Sequence, residues 1–514
     1  MLTIDLIRRG ARQFADRPAV LCADQMLTFR AVDDLANRFA RVFIDTGLGK
    51  GAKIALLVNN SLFSIPLDFA CVKAGLNRVP LNARLSLPEH QHMMTETEAT
   101  LLVYGPDLAG RAGELGEHLP HLKRLCLGGG QPGDGNLLEL AKTADANDPG
   151  VLAEPDDVLL TLYTSGTTGK LKAAQHTQRS FAAICANILA NLLPVEQNDV
   201  MLHAASLIHA SGTFVLPFWI RGATAAVLER FEPHEFLASI PRWKVTTINL
   251  VPTMLTMLFS LPGIEQANIS TLHTVIYGAS PMPVPVIQRG LELWGPIFTQ
   301  YYGQTEAPLC ITVLRKEDHL GPGAGERLLS CGQPAVEVEV RLVDQEGNEV
   351  APGVPGEIVV RAPFGMAGYF NAPDLNEATF LPDGWIRTRD VGRFDERGYL
   401  YLIDRTSDMM VSGGYNIYPR EVEDALLAHP AVQECAVVGA PDEHWVEMVV
   451  AFVALKPGAQ VTEEELIGFA RERLAAYKAP KSVRFVAQVP KSAVGKILRR
   501  ALRDPLWEGH ERPI

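Results

Sequence analysis

The sequence predicts an α/β protein of two domains. A large N-terminal domain carries two helix-covered, mainly parallel sheets and a β subdomain, and a small, mobile α+β domain ends the chain. Three observations carry this expectation. Strand-like and helix-like periodicities alternate through the N-terminal half, as they do where helices connect parallel strands. From about residue 325 the texture changes to strict polar/apolar alternation, "VEVEVRLVD", which suits half-buried antiparallel strands. The chain has 514 residues, more than one core serves. The boundaries read from these changes are 1–405, with the β subdomain at about 325–403, and 406–514.

Taken in order, "TFRAVDDLANRFARVFIDTG" spaces Phe29, Val32, Leu35, Phe39, Val42 and Phe43 as a helix does, with Thr28 placed to cap it. "KIALLV" (53–58) reads as a short buried strand, "LDFACVKAGL" (67–76) as a helix and "NRVPLN" as the next strand. The pattern returns with a helix at 180–192, apolar segments at 200–228, the strand "TTINLV" and a helix starting near Pro252. No short internal repeat interrupts it. "EGNEVAPGVPGEIVVR" is turn-rich and returns to a strand. Texture changes again at "DRTSDMMVSGGY" (404–415). Beyond it, "YPREVEDALLAHP" is a helix with Pro419 near its start, and "TEEELIGFARERLA" (462–475) is another. "QECAVVGA", "MVVAFVAL" and "KSVRFVAQV" are strands, and a basic stretch follows.

The formal net charge is −12, with charges interspersed, which argues against a nucleic-acid partner. Seven cysteines (22, 71, 126, 185, 310, 331, 435) have neither C-x-x-C nor regular spacing and read as small core residues. "MLTIDLIRRGARQF" is too charged for a secretory signal, and no apolar run approaches the roughly 20 residues that span a bilayer. The expectation is a cytoplasmic protein with no membrane span.

The chemistry begins at "YTSGTTGK" (163–170). It is not a Walker A loop, because Gly166 and Gly169 are separated by two residues where that loop needs four before its G-K pair. Its parts still suit phosphate. Gly166 and Gly169 let backbone N–H groups turn toward an anion, Thr164, Ser165, Thr167 and Thr168 add hydroxyl donors, and Lys170 and Lys172 add charge. A bare S-G-T-T could equally be a surface turn; the strand-like "DVLLTLY" before it and the two lysines favour the anion. Four further stretches decide the matter: "YYGQTEA" (301–307), "GWIRTRDVG" (384–392), "GYLYLIDRTSDMMVSGGYNIYPREVE" (398–423) and "GKILRR" (495–500).

In this order and spacing, the five stretches resemble the adenylate-forming superfamily, which includes acyl-CoA synthetases, luciferases and peptide-synthetase adenylation domains. The resemblance covers essentially the whole chain. It implies that a carboxylate attacks the α-phosphate of ATP, pyrophosphate leaves, and a thiol then displaces AMP from the acyl-adenylate. It implies that residues 164–170 hold the β- and γ-phosphates and that Tyr302 stacks on adenine beside Gly303. Thr305 then contacts the α-phosphate, and Glu306 ligates Mg²⁺. Gly278, Ala279 and Ser280 lie beside the adenine and acyl group; Asp390 accepts from the ribose hydroxyls; Arg405 contacts ribose and phosphate. Lys496 is the catalytic lysine, an ammonium where charge builds between carboxylate and phosphate.

The resemblance also implies that the C-terminal domain rotates between the two half-reactions about the "DRTSD" stretch. Here Ser407 stands where relatives carry Lys or Asp, which removes any charged contact at that hinge. Gly413, Gly414 and Tyr415 match the lining of a coenzyme A channel, and Trp445 matches a contact to it, although Val446 follows where Gly is common. Ala173 replaces a glycine after the phosphate loop.

"HAASLIHASGTFVLPFWIRG" (203–222) matches the region lining the acyl group. It has no carboxylate, and Ser211 and Gly212 leave room. His209 matches a histidine beside the acyl carbonyl, though a lone His in an apolar run is also an ordinary core residue. The acid therefore has an apolar tail, fatty or aryl/alicyclic. The expected function is an AMP-forming acyl-CoA ligase using ATP, Mg²⁺ and CoA. The alternatives are an enzyme loading a separate acyl carrier protein and a non-catalytic binding protein. Dimers occur among such enzymes, so a homodimer is compatible with the reading.

Overall fold

Thr28 does cap the helix Phe29–Asp45: its hydroxyl accepts from the Ala31 N–H at 3.2 Å, and the helix buries Phe29, Val32, Phe39 and Phe43. The same rule of a capped start and an inward apolar face recurs at Gln178–Asn191, where Thr177 and Ser180 form a reciprocal cap, and at Glu463–Arg471, where Thr462 and Glu465 do. The computed structural model describes residues 1–165, 171–207, 210–280, 282–344, 346–405, 408–412, 415–442, 446–491 and 497–508.

The chain packs into two units: Met1–Val340 with Val360–Ile386, and Arg341–Val359 with Arg387–Ile514. The first contains two large sheets. One runs, edge to edge, through Gln333–Pro334, Ala307–Leu314, Phe298–Gln304, Thr274–Gly278, Thr247–Leu250, Val200–His203, Thr224–Val227, Pro18–Cys22 and Gln25–Thr28. The other runs through Gly368–Tyr369, Leu171–Thr177, Val158–Ser165, Asn77–Pro80, Lys53–Leu57, Leu101–Tyr104, Lys123–Cys126 and Gly135–Asn136. Their middles are parallel, as the buried strand "KIALL" between two parallel neighbours shows. Each sheet also carries an antiparallel hairpin toward one edge, Phe298–Gln304 with Ala307–Leu314 and Val158–Ser165 with Leu171–Thr177. Thr305 and Glu306 are the turn of the first of these hairpins, and residues 166–170, between the strands of the second, lie outside the described residues.

The second unit holds most of a four-stranded sheet in the order Glu339–Val343, Gly356–Arg361, Ile386–Phe394, Leu400–Arg405, the last pair antiparallel. It also contains a sheet of Tyr415–Ile417, Met410–Ser412, Val446–Leu455 and Val432–Asp442, on which Ser482–Phe485 pairs in parallel with Val446–Leu455. The helices Pro419–Leu427 and Glu463–Arg471 bury Val422, Leu426, Leu466 and Ala470 against Val437, Val449 and Ala451. The sequence groups the β subdomain with the N-terminal residues. In the structure its residues 341–359 and 387–403 cluster with the second unit and its remaining residues with the first, and the strand Ile386–Phe394 is laddered to Leu400–Arg405.

Two element expectations shift. "VEVEVRLVD" forms a strand only over Glu339–Val343, because Glu337 takes a left-handed φ of 65° and leaves Val336 63% exposed. The helix expected at 67–76 is Ser64–Lys73, ending before Gly75, whose φ is +69°. None of the seven cysteines is in a disulfide and all are buried, as core residues are. No described helix is long and apolar enough to cross a membrane.

Candidate active site

Thr305 and Glu306 form the two-residue connection between Phe298–Gln304 and Ala307–Leu314. Tyr302 faces Thr312, but Gln304 faces Ala307, so residues 308–311 bulge opposite Gly303. The bulge needs Leu309 at φ 60° and needs glycine at 303: a Cβ there would sit 1.8 Å from the Leu309 carbonyl oxygen. The turn is gripped from the neighbouring sheet. His176, on Leu171–Thr177, donates from Nε2 to the Thr305 carbonyl at 2.8 Å. The Met366 N–H donates to the Glu306 carbonyl at 2.8 Å, and the Tyr369 hydroxyl donates to a Glu306 carboxylate oxygen. Tyr369 is itself paired with Ala174, and Lys172 Nζ lies 5.8 Å from its ring centroid. Burial pushes the His176 pKa down to about 4, so the ring is neutral, and its Nδ1 has no partner.

Thr274–Gly278 runs parallel beside Phe298–Gln304, so residues 278–280 and the 305–306 turn emerge at the same carboxyl ends, where open α/β sheets bind ligands. Gly278 is required by close approach, since a Cβ would meet the Tyr301 carbonyl oxygen at 2.4 Å. Ala279 holds a left-handed φ of 65°, a strain that recurs at ligand sites. Ser280 is half-buried and Tyr302 is buried. Thr164 and Ser165 end the strand Val158–Ser165, and Gly166, Thr167, Thr168, Gly169 and Lys170 lie outside the described residues.

On the acyl side, Ser211 is buried and its hydroxyl shares a 2.9 Å hydrogen bond with His203 Nδ1. Burial pushes His203 down to about 4 as well, and its Nε2 has no partner. A Cβ on Gly212 would meet the Leu207 carbonyl oxygen at 2.0 Å. Asn60 ties this loop down, donating to the Ala205 and Leu228 carbonyls and accepting from the Leu207 N–H. Gly212, Phe181, Val215 and Leu216 line a small cavity with the ion pair of Asp68 and Arg78, 2.7 Å apart. His209 lies outside the described residues.

In the second unit, strand pairing sets Asp390 opposite Arg405; Asp390 is 8% exposed. The Tyr415 backbone begins the strand Tyr415–Ile417. Ser407, Gly413, Gly414, Trp445 and Lys496 lie outside the described residues. Arg499 makes a clamp: Nε and Nη2 bind the two Glu423 oxygens at 2.9 and 2.7 Å, and Nη1 binds Asp408 at 3.0 Å. Glu423 also accepts from the Val437 N–H at 2.9 Å. Residues that follow positions 407 and 496 are thereby fastened to one helix.

Residues 7–370 match the family model described as AMP-binding enzyme, and residues 421–496 match that of the AMP-binding enzyme C-terminal domain. The chain belongs to the AMP-binding enzyme family. It is 35% identical to the medium/long-chain fatty acid–CoA ligase FadD8 of Mycobacterium tuberculosis, over 99% of this chain and 91% of that one. It is also 35% identical to a feruloyl-CoA synthase of an Amycolatopsis species, over 96% and 97%. Among solved structures, the o-succinylbenzoate CoA synthetase of Bacillus subtilis in complex with its acyl-adenylate superimposes with a TM-score of 0.86 at 31% identity, covering 97% of this chain and 98% of that one.

Within the AMP-binding enzyme fold, the first unit thus brings Thr164, residues 278–280, Tyr302, Gly303, Thr305 and Glu306 to strand ends. Magnesium fits this donor set. Glu306 offers a carboxylate with one oxygen oriented by Tyr369, and one carboxylate completed by phosphate oxygens is the ion's usual arrangement. Sequence reasoning missed His176, Tyr369, Asn60 and the Arg499 clamp. Only Arg499 carried a local signal, its place in "GKILRR".

Proposed function

We propose that the protein is an AMP-forming acid–thiol ligase. It activates a carboxylic acid with Mg·ATP to an acyl-adenylate, releasing pyrophosphate. It then passes the acyl group to the thiol of CoA, releasing AMP. The observation that carries this reading is the 305–306 turn, held at strand ends beside residues 278–280 in a chain whose curated relatives are named as CoA ligases. Residues 164–170 hold the β- and γ-phosphates. Thr305 donates its hydroxyl to the α-phosphate. Glu306 holds Mg²⁺, which supplies positive charge to the phosphates when bound. Tyr302 and Gly303, with residues 278–280, take the adenine, and Asp390 and Arg405 take the ribose. Lys496 brings an ammonium to the developing charge between acid and phosphate. Gly413, Gly414, Tyr415 and Trp445 line the thiol path, and Ser407 lies in the hinge.

The acid has an apolar tail, fatty or aryl/alicyclic. Residues 203–222 hold no carboxylate, Gly212 is the smallest side of that wall, and the relatives' names divide between fatty and aromatic acids. His209 and Ser211 lie beside the acyl group.

Incubation with ATP, Mg²⁺, CoA and acids from acetate to palmitate, with benzoates and cyclohexanecarboxylate, tests the reading, with AMP and thioester read by mass. A thioester with one group of acids supports it. AMP without thioester moves the acceptor to a carrier protein, and no AMP with any acid counts against the activity. Lys496→Ala should nearly abolish adenylate formation while sparing thioester formation from supplied acyl-adenylate. Equal loss in both steps would remove that role.

A further inference from the structure

We infer that His176 is a positioning residue for adenylate formation: a strut that sets the peptide plane between Thr305 and Glu306 from the strand leaving the phosphate loop. The inference rests on the function proposed above and goes beyond the motif residues, none of which includes His176.

The direction of the bond is forced. The Thr305 carbonyl can only accept, so His176 Nε2 carries the proton at 2.8 Å. The two residues are 129 positions apart and lie on hairpins of different sheets. A carbonyl fixed in a two-residue turn fixes the plane of the peptide that follows, and with it the direction of the Glu306 N–H and the starting point of the Glu306 side chain. Met366 then holds the Glu306 carbonyl and Tyr369 its carboxylate. The group proposed to meet the α-phosphate and the group proposed to meet the metal are thus referenced to the strand that begins one residue beyond 166–170, where the outer phosphates are proposed to sit.

A filler role does not account for this imidazole. His176 is 1% exposed, and its Nδ1 is buried without a partner. An unsatisfied buried polar atom costs about 1–3 kcal/mol, which an aliphatic side chain of similar size would avoid.

The test uses the full-length protein and three variants, His176→Leu, His176→Gln and His176→Asn. Gln reaches the carbonyl with an amide N–H, whereas Asn falls short. ATP affinity is measured by calorimetry with and without Mg²⁺, which requires no knowledge of the acid. Adenylate formation and thioester formation from supplied acyl-adenylate are measured separately. His176→Leu and His176→Asn should lose most of the Mg²⁺ enhancement of ATP affinity. They should slow adenylate formation by up to about 10²-fold, the cost of misplacing groups by around 1 Å, while sparing thioester formation. His176→Gln should recover most of both. If the Leu variant fails to fold, the contrast between Gln and Asn carries the test. Equal loss in both half-reactions, an unchanged Mg²⁺ enhancement, or Gln behaving as Asn would overturn the strut. Wild-type protein that binds no ATP would instead overturn the proposed function, and this inference with it.

Discussion

The 305–306 turn and the wall at Ser211 and Gly212 belong to the same unit and end in opposite styles. The turn is held by a side chain, a backbone N–H and a phenol, from His176, Met366 and Tyr369. Among the described residues, the wall rests on the hydrogen bond that Ser211 shares with His203 and on Asn60, which holds the backbone at 205 and 207, while Gly212 leaves no room for a Cβ beside the Leu207 carbonyl. On the nucleotide side, polar groups define directions. On the acyl side, volume defines a space. That difference suits a reaction in which ATP never changes and the acid varies from one relative to the next. Directional bonds fix one ligand in one pose, whereas a wall of small residues changes capacity with each methylene added to it.

The comparison breaks most readily at Glu306. Glu306→Gln should slow adenylate formation by about 10²–10³-fold and flatten its Mg²⁺ dependence. Steady-state pyrophosphate release against Mg²⁺ concentration reads this, and an unchanged curve would remove the carboxylate from metal binding.

The two glycines sharpen it further. Both oppose backbone oxygens, at 1.8 Å for a Cβ on residue 303 and 2.0 Å on residue 212, so Ala at either should destabilise by about 1–3 kcal/mol. Their kinetic signatures should part. Gly303→Ala should raise KM for ATP, and Gly212→Ala should raise KM for the acid. If both variants shift the same constant, the two regions are not separate.

Tyr369→Phe should cost less. It removes one hydrogen bond to a charged group, worth about 1.5–3 kcal/mol where buried and less at half-buried Glu306, so about a tenfold loss in adenylate formation is expected with little change in melting temperature. Rates indistinguishable from wild type would show that Glu306 needs no such orientation.

A pH effect is shared by both regions. His176 and His203 titrate near 4 in the folded protein against about 6.5 unfolded. Between those values the unfolded chain binds more protons, so stability is complete above about pH 6.5 and is lost as pH falls toward 4. At pH 5 each should contribute a loss of about 1–2 kcal/mol. Urea denaturation at pH 7 and pH 5 checks this; equal midpoints would contradict both burials.

Much of the fold was legible because it is local. Thr28 and Thr462 announce their helices through caps within four residues, and "KIALLV" announces a strand buried on both faces. The domain division was less so. Alternation in "VEVEVRLVD" says that a strand is half-buried and does not say against which neighbour, and the ladder from Ile386–Phe394 to Leu400–Arg405 draws most of that sheet to the C-terminal unit.

The candidate site divides in the same way. The sequence alone determined the family resemblance, the reaction class and the motif residues, because each motif is a short run whose glycines, hydroxyls and charges suit a ligand without help from elsewhere. Tertiary structure alone decided what holds them. Tyr369 reaches Glu306 across 63 positions, Arg499 reaches Glu423 across 76, and His176 reaches Thr305 across 129. Periodicity records which face of an element is buried. It carries no record of which strand of another sheet lies opposite, and a hydrogen bond less than 3 Å long exists only once that packing has placed its two ends.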